Sequence, residues 1–250
     1  MTTVWRLVLL MGSILLVFAG PVTAASSLSA TYTAGEAAFD VRFGDTVVTH
    51  RVMAVTILPN ASSRLAVEAR AADRGYRVEA PDDALLSVSE GQWRFSAPEE
   101  PGLYPVTIID TTTQDAVRLQ VFVLRPWDHD GERLNGYRLG DYQQLALRGR
   151  ERYEPPAGFI EVTVENRDAR VAPNFRLEQF LCKQTDATPQ YALVRTRLLQ
   201  RLEHLLAAVN ARGHDVPTLH VMSGYRTPYY NRSIGNTTEY SRHLYGDAAD

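Results

Sequence analysis

The chain has only one cysteine, Cys182, among its 250 residues. A single cysteine cannot form an internal disulfide, so no disulfide framework supports this fold. Cys182 follows Phe180 and Leu181 in an apolar run, and no neighbouring residue suggests a base that would activate a nucleophilic thiol. Because an unpaired cysteine usually behaves as a small buried hydrophobe, we interpret Cys182 as a core residue.

The sequence also lacks a strong charge of either sign. Its 26 Lys and Arg side chains nearly balance 29 Asp and Glu side chains, and the formal net charge is −3. This balance gives no reason to expect binding to nucleic acid or to an anionic membrane surface. Internal repeats are absent, and a hydrophobic fraction of 45% is sufficient for a packed core. The composition therefore indicates a globular protein with one large domain or two smaller ones.

Long hydrophobic runs are missing too, apart from one near the N-terminus. Residues 7–19 are nearly all apolar, follow Arg6, and precede Val22 and Ala24, which are small residues at the positions that a signal peptidase reads. The run is shorter than the roughly 20 apolar residues that span a bilayer. We therefore predict a secretory signal peptide over residues 1–24, in preference to an uncleaved anchor. The expected location is the periplasm or cell envelope, with only transient membrane contact.

Six segments between residues 28 and 125 are rich in Val, Ile, Thr and aromatic residues, and turn-forming Gly, Pro, Asn and Asp residues separate them. The predicted strands are residues 37–43, 47–57, 65–69, 92–97, 104–109 and 116–124. Short strands at this spacing are typical of an immunoglobulin-like β-sandwich, which we predict for residues 28–125. Nothing in this region suggests a catalytic cluster, and a sandwich alone does not define a function.

Residues 126–170 mix aromatic residues with glycines and prolines and lack helical periodicity, so we predict a connector with one strand at residues 159–164. The aromatic residues are Trp127, Tyr137, Tyr142, Tyr153 and Phe159. Such rings could line a glycan groove, but we prefer the interpretation that they anchor the connector to its neighbours. His129 lies between two aspartates, and three adjacent side chains do not easily converge on one ion. We interpret it as a solvated loop residue.

Residues 171–250 form the second predicted domain, in which one amphipathic helix is clear. Thr188 is its predicted cap, Pro189 its first residue, and Gly213 its end. The predicted apolar stripe is Tyr191, Val194, Leu198, Leu202, Leu205 and Val209. We interpret His204 as a surface or boundary residue.

Further polar residues follow the predicted helix. His214 and Asp215 lie in the next loop, and His220 lies in a β-like run at residues 218–222. Each is a conceivable metal ligand, and we favour ordinary loop and strand roles for all three.

Two motifs in residues 223–250 suggest chemistry. The first is Ser-Gly-Tyr-Arg at residues 223–226, which places Arg226 directly after the β-like run, where functional residues are common. The second, at residues 241–250, contains His243 and Asp250 separated by Gly246 and two alanines. Glycine permits a tight turn, so both side chains can converge on one ion. Imidazole nitrogen with carboxylate oxygen is half of a common catalytic zinc shell, which takes three protein ligands and a water.

Together, the SGYR block and the SxHxxGxAxD block resemble the zinc D-alanyl-D-alanine carboxypeptidases and murein endopeptidases of bacterial cell walls. The segment at residues 174–180 also resembles the element that opens the catalytic domain of this family. The resemblance implies an α+β fold of the hedgehog type. It implies that His243 and Asp250 bind Zn²⁺, that Arg226 contacts the substrate near the metal, and, by analogy, that Ser241 and Tyr240 line the substrate cleft.

In that family the third zinc ligand is a second histidine downstream, shortly after an acidic general base. The sequence stops at Asp250, so we expect the third ligand and the base beyond it and a C-terminally truncated peptidase domain. The resulting hypothesis is an exported zinc metallopeptidase that cleaves peptidoglycan stem peptides or cross-links. The alternatives are a non-catalytic protein of the same fold that binds the cell wall or helps to assemble the envelope, and an amidase or other zinc hydrolase.

Overall fold

The computed structural model describes residues 35–68, 74–81, 84–89, 92–129, 131–185 and 187–250. The predicted signal peptide, residues 1–24, lies outside the described residues. None of the helices within the described ranges has the length and apolar character needed to cross a membrane.

Strands dominate the described residues between 35 and 123. They are β1 (Glu36–Phe43), β2 (Thr46–His50), β3 (Val52–Ile57), β4 (Ser62–Glu68), β5 (Tyr76–Glu79), β6 (Leu85–Ser89), β7 (Gln92–Ser96), β8 (Gly102–Asp110) and β9 (Ala116–Val123). One sheet has the order β2-β1-β4-β7-β6, and the other has the order β3-β9-β8-β5. Neighbouring strands are antiparallel in both sheets, except that β3 and β9 are parallel.

The two sheets share one apolar core. In β7, Trp93 and Phe95 are buried whereas Gln92 and Arg94 are exposed, which is the alternation expected of a strand with one face inward. Buried side chains of the other sheet that belong to the same core include Met53, Val106, Ile108, Leu119 and Val121. The structure thus confirms a β-rich N-terminal region, and its immunoglobulin-like type stays a prediction.

Two details of the strand prediction were wrong. The predicted strand at residues 47–57 is two strands, because the chain passes from one sheet to the other at Arg51. His50 pairs with Glu36, whereas Val52 pairs with Arg118 in the second sheet. β5 and β6 were not predicted at all. In β5, four residues of alternating burial give too short a pattern to distinguish a strand from a loop.

Short strands and two helices make up the rest of the chain. The strands are β10 (Arg125–Pro126), β11 (Arg133–Leu134), β12 (Tyr137–Arg138), β13 (Gly158–Val162), β14 (Arg170–Ala172), β15 (Phe175–Arg176) and β16 (Gln190–Ala192), and the helices are α1 (Thr196–Asn210) and α2 (Pro228–Ser233). Single 3-10 turns lie at Leu147–Gly149, Glu151–Tyr153, Leu177–Phe180 and Arg242–Tyr245. β13 corresponds to the predicted strand at residues 159–164.

The predicted start of the helix at Pro189 was wrong, because residues 190–192 form β16, which pairs with β13. Tyr191 is fully buried there, and its hydroxyl accepts a hydrogen bond from Asn135 Nδ2 at 2.8 Å. Pairing in a sheet therefore replaces helix formation at Tyr191, the first apolar position of the predicted stripe, and Val194 lies before the start of α1. Gly213 has φ +91° and ends the turn that follows α1.

The buried face of α1 also differs from the predicted stripe. Leu205 is half exposed, whereas Leu199 and Leu206, which the stripe omitted, are buried together with Leu198. Glu203 is buried on the same face, where its carboxylate accepts hydrogen bonds from the Asn174 backbone amide at 2.7 Å and from Asn174 Nδ2 at 2.6 Å. His204 is exposed, as expected.

Residues 218–222 do not form the predicted strand. Contacts of a strand type are confined to the end of this run. There the Met222 amide donates to the Asp250 carbonyl at 2.7 Å, and the Asp250 amide donates to the Ser223 carbonyl at 2.9 Å. The β-like composition is present, but a strand needs a partner along its length.

The two sheets formed by β1 to β9 share a continuous core with the elements that follow them, and the described residues belong to one compact unit. Thr196 Oγ1 donates to the Ala54 carbonyl at 2.7 Å, and Gln200 Nε2 donates to the Val47 carbonyl at 2.7 Å. The N-terminal half of α1 is therefore anchored directly on β2 and β3. The predicted division into residues 28–125, 126–170 and 171–250 stays a prediction.

Candidate metal centre

The 3-10 turn Arg242–Tyr245 carries the first candidate ligand and is held at both ends. Gly246 ends it with φ +62°, and its carbonyl accepts from the Arg195 amide at 2.9 Å. Asp247 is 1% exposed, and its two oxygens accept from Arg197 Nε at 2.6 Å and from Arg242 Nη2 at 3.0 Å. A buried carboxylate between two guanidinium groups therefore fixes this turn against the start of α1.

The contacts with Arg197 and Arg242 also determine the charge of Asp247. Burial alone would raise its pKa, but the hydrogen bond and charge of Arg197, followed by those of Arg242, outweigh burial and lower the pKa. The carboxylate is therefore ionised in the folded protein. Sequence analysis missed this residue, although it lies inside the motif, because the position is not one of those that define the motif.

His243 is 8% exposed and oriented by the first motif. Its Nδ1 is 2.7 Å from the Gly224 carbonyl, which can only accept, so Nδ1 carries the proton. The other ring nitrogen, Nε2, lies 3.3 Å from Asp250 Oδ1. An imidazole whose Nδ1–H is held by a backbone carbonyl and whose Nε2 faces a carboxylate is the usual arrangement of a histidine that binds a metal.

Asp250 is brought to His243 by residues of the first motif. Its backbone pairs with Met222 and Ser223, and its Oδ2 accepts from Arg226 Nη2 at 2.6 Å. The Arg226 backbone amide in turn donates to the His243 carbonyl at 3.2 Å. The side chain of Asp250 is 57% exposed, so its Oδ1 is accessible from solvent.

The pair fits two corners of a zinc shell. In a tetrahedral site with zinc bonds of about 2.0–2.2 Å, neighbouring donor atoms lie about 3.4 Å apart, and Nε2 and Oδ1 are 3.3 Å apart. Among the described residues, however, no group of three or more His, Cys, Asp or Glu side chains is placed to hold a metal ion. His214, Asp215 and His220 are accordingly not gathered around the pair. His243 and Asp250 thus remain two candidate zinc ligands.

The two predicted cleft residues differ in their surroundings. Tyr240 Oη donates to the Leu145 carbonyl at 2.8 Å, and its ring packs edge-on against Tyr153 at 5.9 Å between centroids. Ser241 is half buried and directly precedes the 3-10 turn, where its carbonyl accepts from the Leu244 amide at 3.0 Å. Tyr240 is thus held by the connector, and Ser241 by the turn that carries His243.

Comparison with models of protein families gives a match in the C-terminal part of the chain. Residues 173–250 match the Peptidase M15 family. The match covers both motifs but under a third of the chain, and it supports a peptidase of this family at a coarse level. Peptidases of the family are generally zinc-dependent, which agrees with the donor pair His243 and Asp250. No curated protein matches the chain.

An aromatic cluster lies beneath the motifs of the M15 segment, as we call residues 173–250. Tyr225 Oη donates to Tyr142 Oη at 2.9 Å, and Tyr142 Oη donates to the Leu244 carbonyl at 3.0 Å. Both rings are buried, and burial raises the pKa of both hydroxyls, which therefore stay protonated. Burial, followed by the neighbouring Tyr240 and Tyr153, raises the pKa of Tyr245 to about 12.

These contacts confirm that the connector's aromatic residues serve as anchors. Trp127, Tyr137, Tyr142 and Phe159 are buried, and they share a core with Tyr225, Leu244 and Tyr245 of the M15 segment. Tyr153 is partly buried and packs edge-on against Tyr245, at 5.4 Å between ring centroids. Cys182 belongs to the same core, and burial raises the pKa of its thiol. Both the anchor role and the core role of Cys182 were predicted correctly.

A cleft of about 940 Å³ reaches the first motif. Its lining includes Thr188, Pro189, Gln190, Met222 and Ser223. Ser223 accepts a hydrogen bond from Arg226 Nε at 2.8 Å. The lining of the cleft includes neither His243 nor Asp250, so its contact with the candidate centre is confined to Ser223.

Proposed function

We propose that the chain is an exported zinc-dependent peptidase that acts on peptidoglycan peptides, as a D-Ala-D-Ala carboxypeptidase or as an endopeptidase of cross-links. The observation that carries the proposal is the 3.3 Å approach of His243 Nε2 and Asp250 Oδ1, with Nδ1 held by Gly224. The match of residues 173–250 to the Peptidase M15 family supports it. The predicted signal peptide at residues 1–24 agrees with a substrate outside the cytoplasm.

The side chains divide the work between binding and orientation. His243 and Asp250 would hold the zinc ion, and the Gly224 carbonyl keeps the imidazole in the form that presents Nε2. When bound, zinc would supply a water whose pKa is lowered to about 7, which makes hydroxide available at neutral pH. Tyr240 and Ser241 line the substrate side of the pair in this proposal.

Digestion of defined muropeptides tests the proposal. The full-length gene product is dialysed against a chelator, reconstituted with zinc, and incubated with pentapeptide monomers and cross-linked dimers. Release of free D-alanine identifies a carboxypeptidase, and conversion of dimers to monomers identifies an endopeptidase. Cleavage of the bond between sugar and peptide would identify an amidase instead.

The matched control compares two histidine variants. His243→Ala should abolish cleavage, whereas His214→Ala, in an exposed loop, should leave it unchanged. Cleavage that survives in His243→Ala, or that is absent from the zinc-reconstituted unchanged protein, contradicts the proposal.

A second candidate is a non-catalytic protein that binds the cell wall through the same fold. The observation in its favour is that, among the described residues, no group of three or more His, Cys, Asp or Glu side chains is placed to hold a metal ion. Sedimentation with insoluble peptidoglycan distinguishes the two candidates. A binder remains on the pellet after chelation and cleaves no muropeptide, whereas the peptidase releases soluble products only with zinc.

A further inference from the structure

We propose that Arg226 is a positioning residue that holds Asp250 as a metal ligand, a role distinct from the substrate contact that the family resemblance implies. The proposal rests on the proposed function, because it concerns the same zinc centre. It assigns the first motif, residues 223–226, to the support of both candidate ligands.

Arg226 donates hydrogen bonds to both candidate ligands. Nη2 donates to Asp250 Oδ2 at 2.6 Å, Nε donates to Ser223 Oγ at 2.8 Å, and the backbone amide donates to the His243 carbonyl at 3.2 Å. The side chain is 12% exposed, although the carboxylate that it binds is 57% exposed. One residue thus contacts the backbone of one candidate ligand and the side chain of the other.

The guanidinium group selects which carboxylate oxygen faces the imidazole. A carboxylate whose side chain rotates freely can present either oxygen, or neither, to the imidazole. With Oδ2 bound to Arg226, Oδ1 is the oxygen that remains, and it lies 3.3 Å from His243 Nε2. A planar guanidinium with fixed N–H directions suits this purpose, because its geometry is set before the metal binds.

Ser223 completes the support. Its hydroxyl accepts from Arg226 Nε, and its carbonyl accepts from the Asp250 amide at 2.9 Å. The adjacent Gly224 carbonyl accepts from His243 Nδ1 at 2.7 Å. Position 224 requires glycine because the Phe180 backbone packs closely against it: a Cβ there would lie 2.6 Å from the Phe180 Cα. Three residues of the motif, Ser223, Gly224 and Arg226, therefore contact the two candidate ligands.

Zinc affinity separates this role from a substrate contact. Loss of a partner that orients a metal ligand typically weakens metal binding about 10–100-fold. We expect Arg226→Gln to weaken zinc binding by this factor in a competition titration against a chromophoric chelator. The visible spectrum of the Co²⁺-substituted protein should also change, because the carboxylate is no longer fixed. Muropeptide cleavage should recover substantially when zinc is raised to saturation.

Three further variants sharpen the test. Arg232→Gln removes an exposed arginine that forms a 3.7 Å ion pair with Asp141, and it should leave zinc affinity unchanged. Ser223→Ala should weaken zinc binding less than Arg226→Gln does, because the guanidinium keeps its contact with Asp250. Arg226→Lys should restore only part of the affinity, since one ammonium group cannot reproduce both side-chain contacts. Unfolding midpoints of the metal-free variants establish that each one is folded.

Each result has a distinct meaning. If Arg226→Gln binds zinc as tightly as the unchanged protein but cleaves slowly at saturating zinc, the positioning role is wrong and Arg226 contacts the substrate. If the unchanged full-length protein binds no zinc, the proposed function fails, and this inference fails with it. Weaker zinc binding in Arg226→Gln, together with the altered Co²⁺ spectrum and unaffected Arg232→Gln, supports the proposal.

Discussion

At the scale of single residues, Asp247 should make a large contribution to stability. Its buried carboxylate accepts hydrogen bonds from Arg197 and Arg242. We expect Asp247→Asn to lower the free energy of unfolding by about 2 kcal/mol at neutral pH, since hydrogen bonds to charged groups contribute about 1.5–3 kcal/mol. Urea denaturation measures the change. Asp168→Asn is the control, because Asp168 pairs with Arg176 at the surface and should contribute little.

Asp247 should also make the free energy of unfolding depend on pH. Because the folded protein lowers the pKa of Asp247, its contribution to stability is present above the unfolded pKa of 3.8 and is lost as the pH falls through the folded value. The unchanged protein should therefore lose stability below about pH 4 more steeply than Asp247→Asn. Equal slopes for the two proteins in urea titrations across this range would show that Asp247 is not the group responsible.

Tyr142 is the second residue whose removal should destabilise the centre. Tyr142→Phe removes the hydroxyl that donates to the Leu244 carbonyl and accepts from Tyr225. Because this leaves buried partners unsatisfied, we expect a loss of about 1–3 kcal/mol in the free energy of unfolding. Tyr153→Phe is the matched control, as Tyr153 is only partly buried. A loss of the same size in both variants would contradict the assignment.

The motif residues could be placed from the sequence, whereas their supports could not. His243 and Asp250 were expected to converge because Gly246 permits a turn between them, and the structure places them 3.3 Å apart. Their functions as ligands stay predictions. The hydrogen bonds of Asp247 and Tyr142 were not predicted, because their partners lie at positions 197 and 244, which no local pattern connects to them.

At the scale of elements, the turn Arg242–Tyr245 depends on Gly246. A Cβ at this position would lie 2.5 Å from the Leu193 carbonyl oxygen, and the backbone has φ +62°. We expect Gly246→Ala to cost more than the roughly 1–2 kcal/mol of left-handed strain alone, and to weaken zinc binding by shifting His243. Gly235→Ala, at φ +82° with nothing within 4 Å, isolates the strain. Equal losses in both variants would show that the close contact is unimportant.

The elements themselves were predicted unevenly, for a physical reason. Long alternating strands such as β1 and β7 carry a clear pattern of burial in their own residues. β16 was assigned to the helix because its identity depends on pairing with β13, some 30 residues earlier. Conversely, residues 218–222 have the composition of a strand, but only Met222 takes part in pairing of this type, with Asp250.

At the scale of the molecule, the two sheets formed by β1 to β9 and the M15 segment should unfold together. Their side chains belong to one core, and Thr196 and Gln200 of α1 donate to carbonyls of β3 and β2. Single-tryptophan variants report on each part, since Trp93 lies in β7 and Trp127 lies in the core beneath the motifs. We expect their urea midpoints to coincide. Two separate midpoints would show that the parts are independently stable.

The central claim is that His243 and Asp250 belong to a zinc centre. The most direct measurement is the zinc content of the full-length gene product purified under metal-replete conditions, beside His243→Ala and His214→Ala. The account predicts close to one zinc per chain in the unchanged protein and in His214→Ala, and loss of zinc in His243→Ala. Absence of zinc from the unchanged protein, or its retention in His243→Ala, would contradict it.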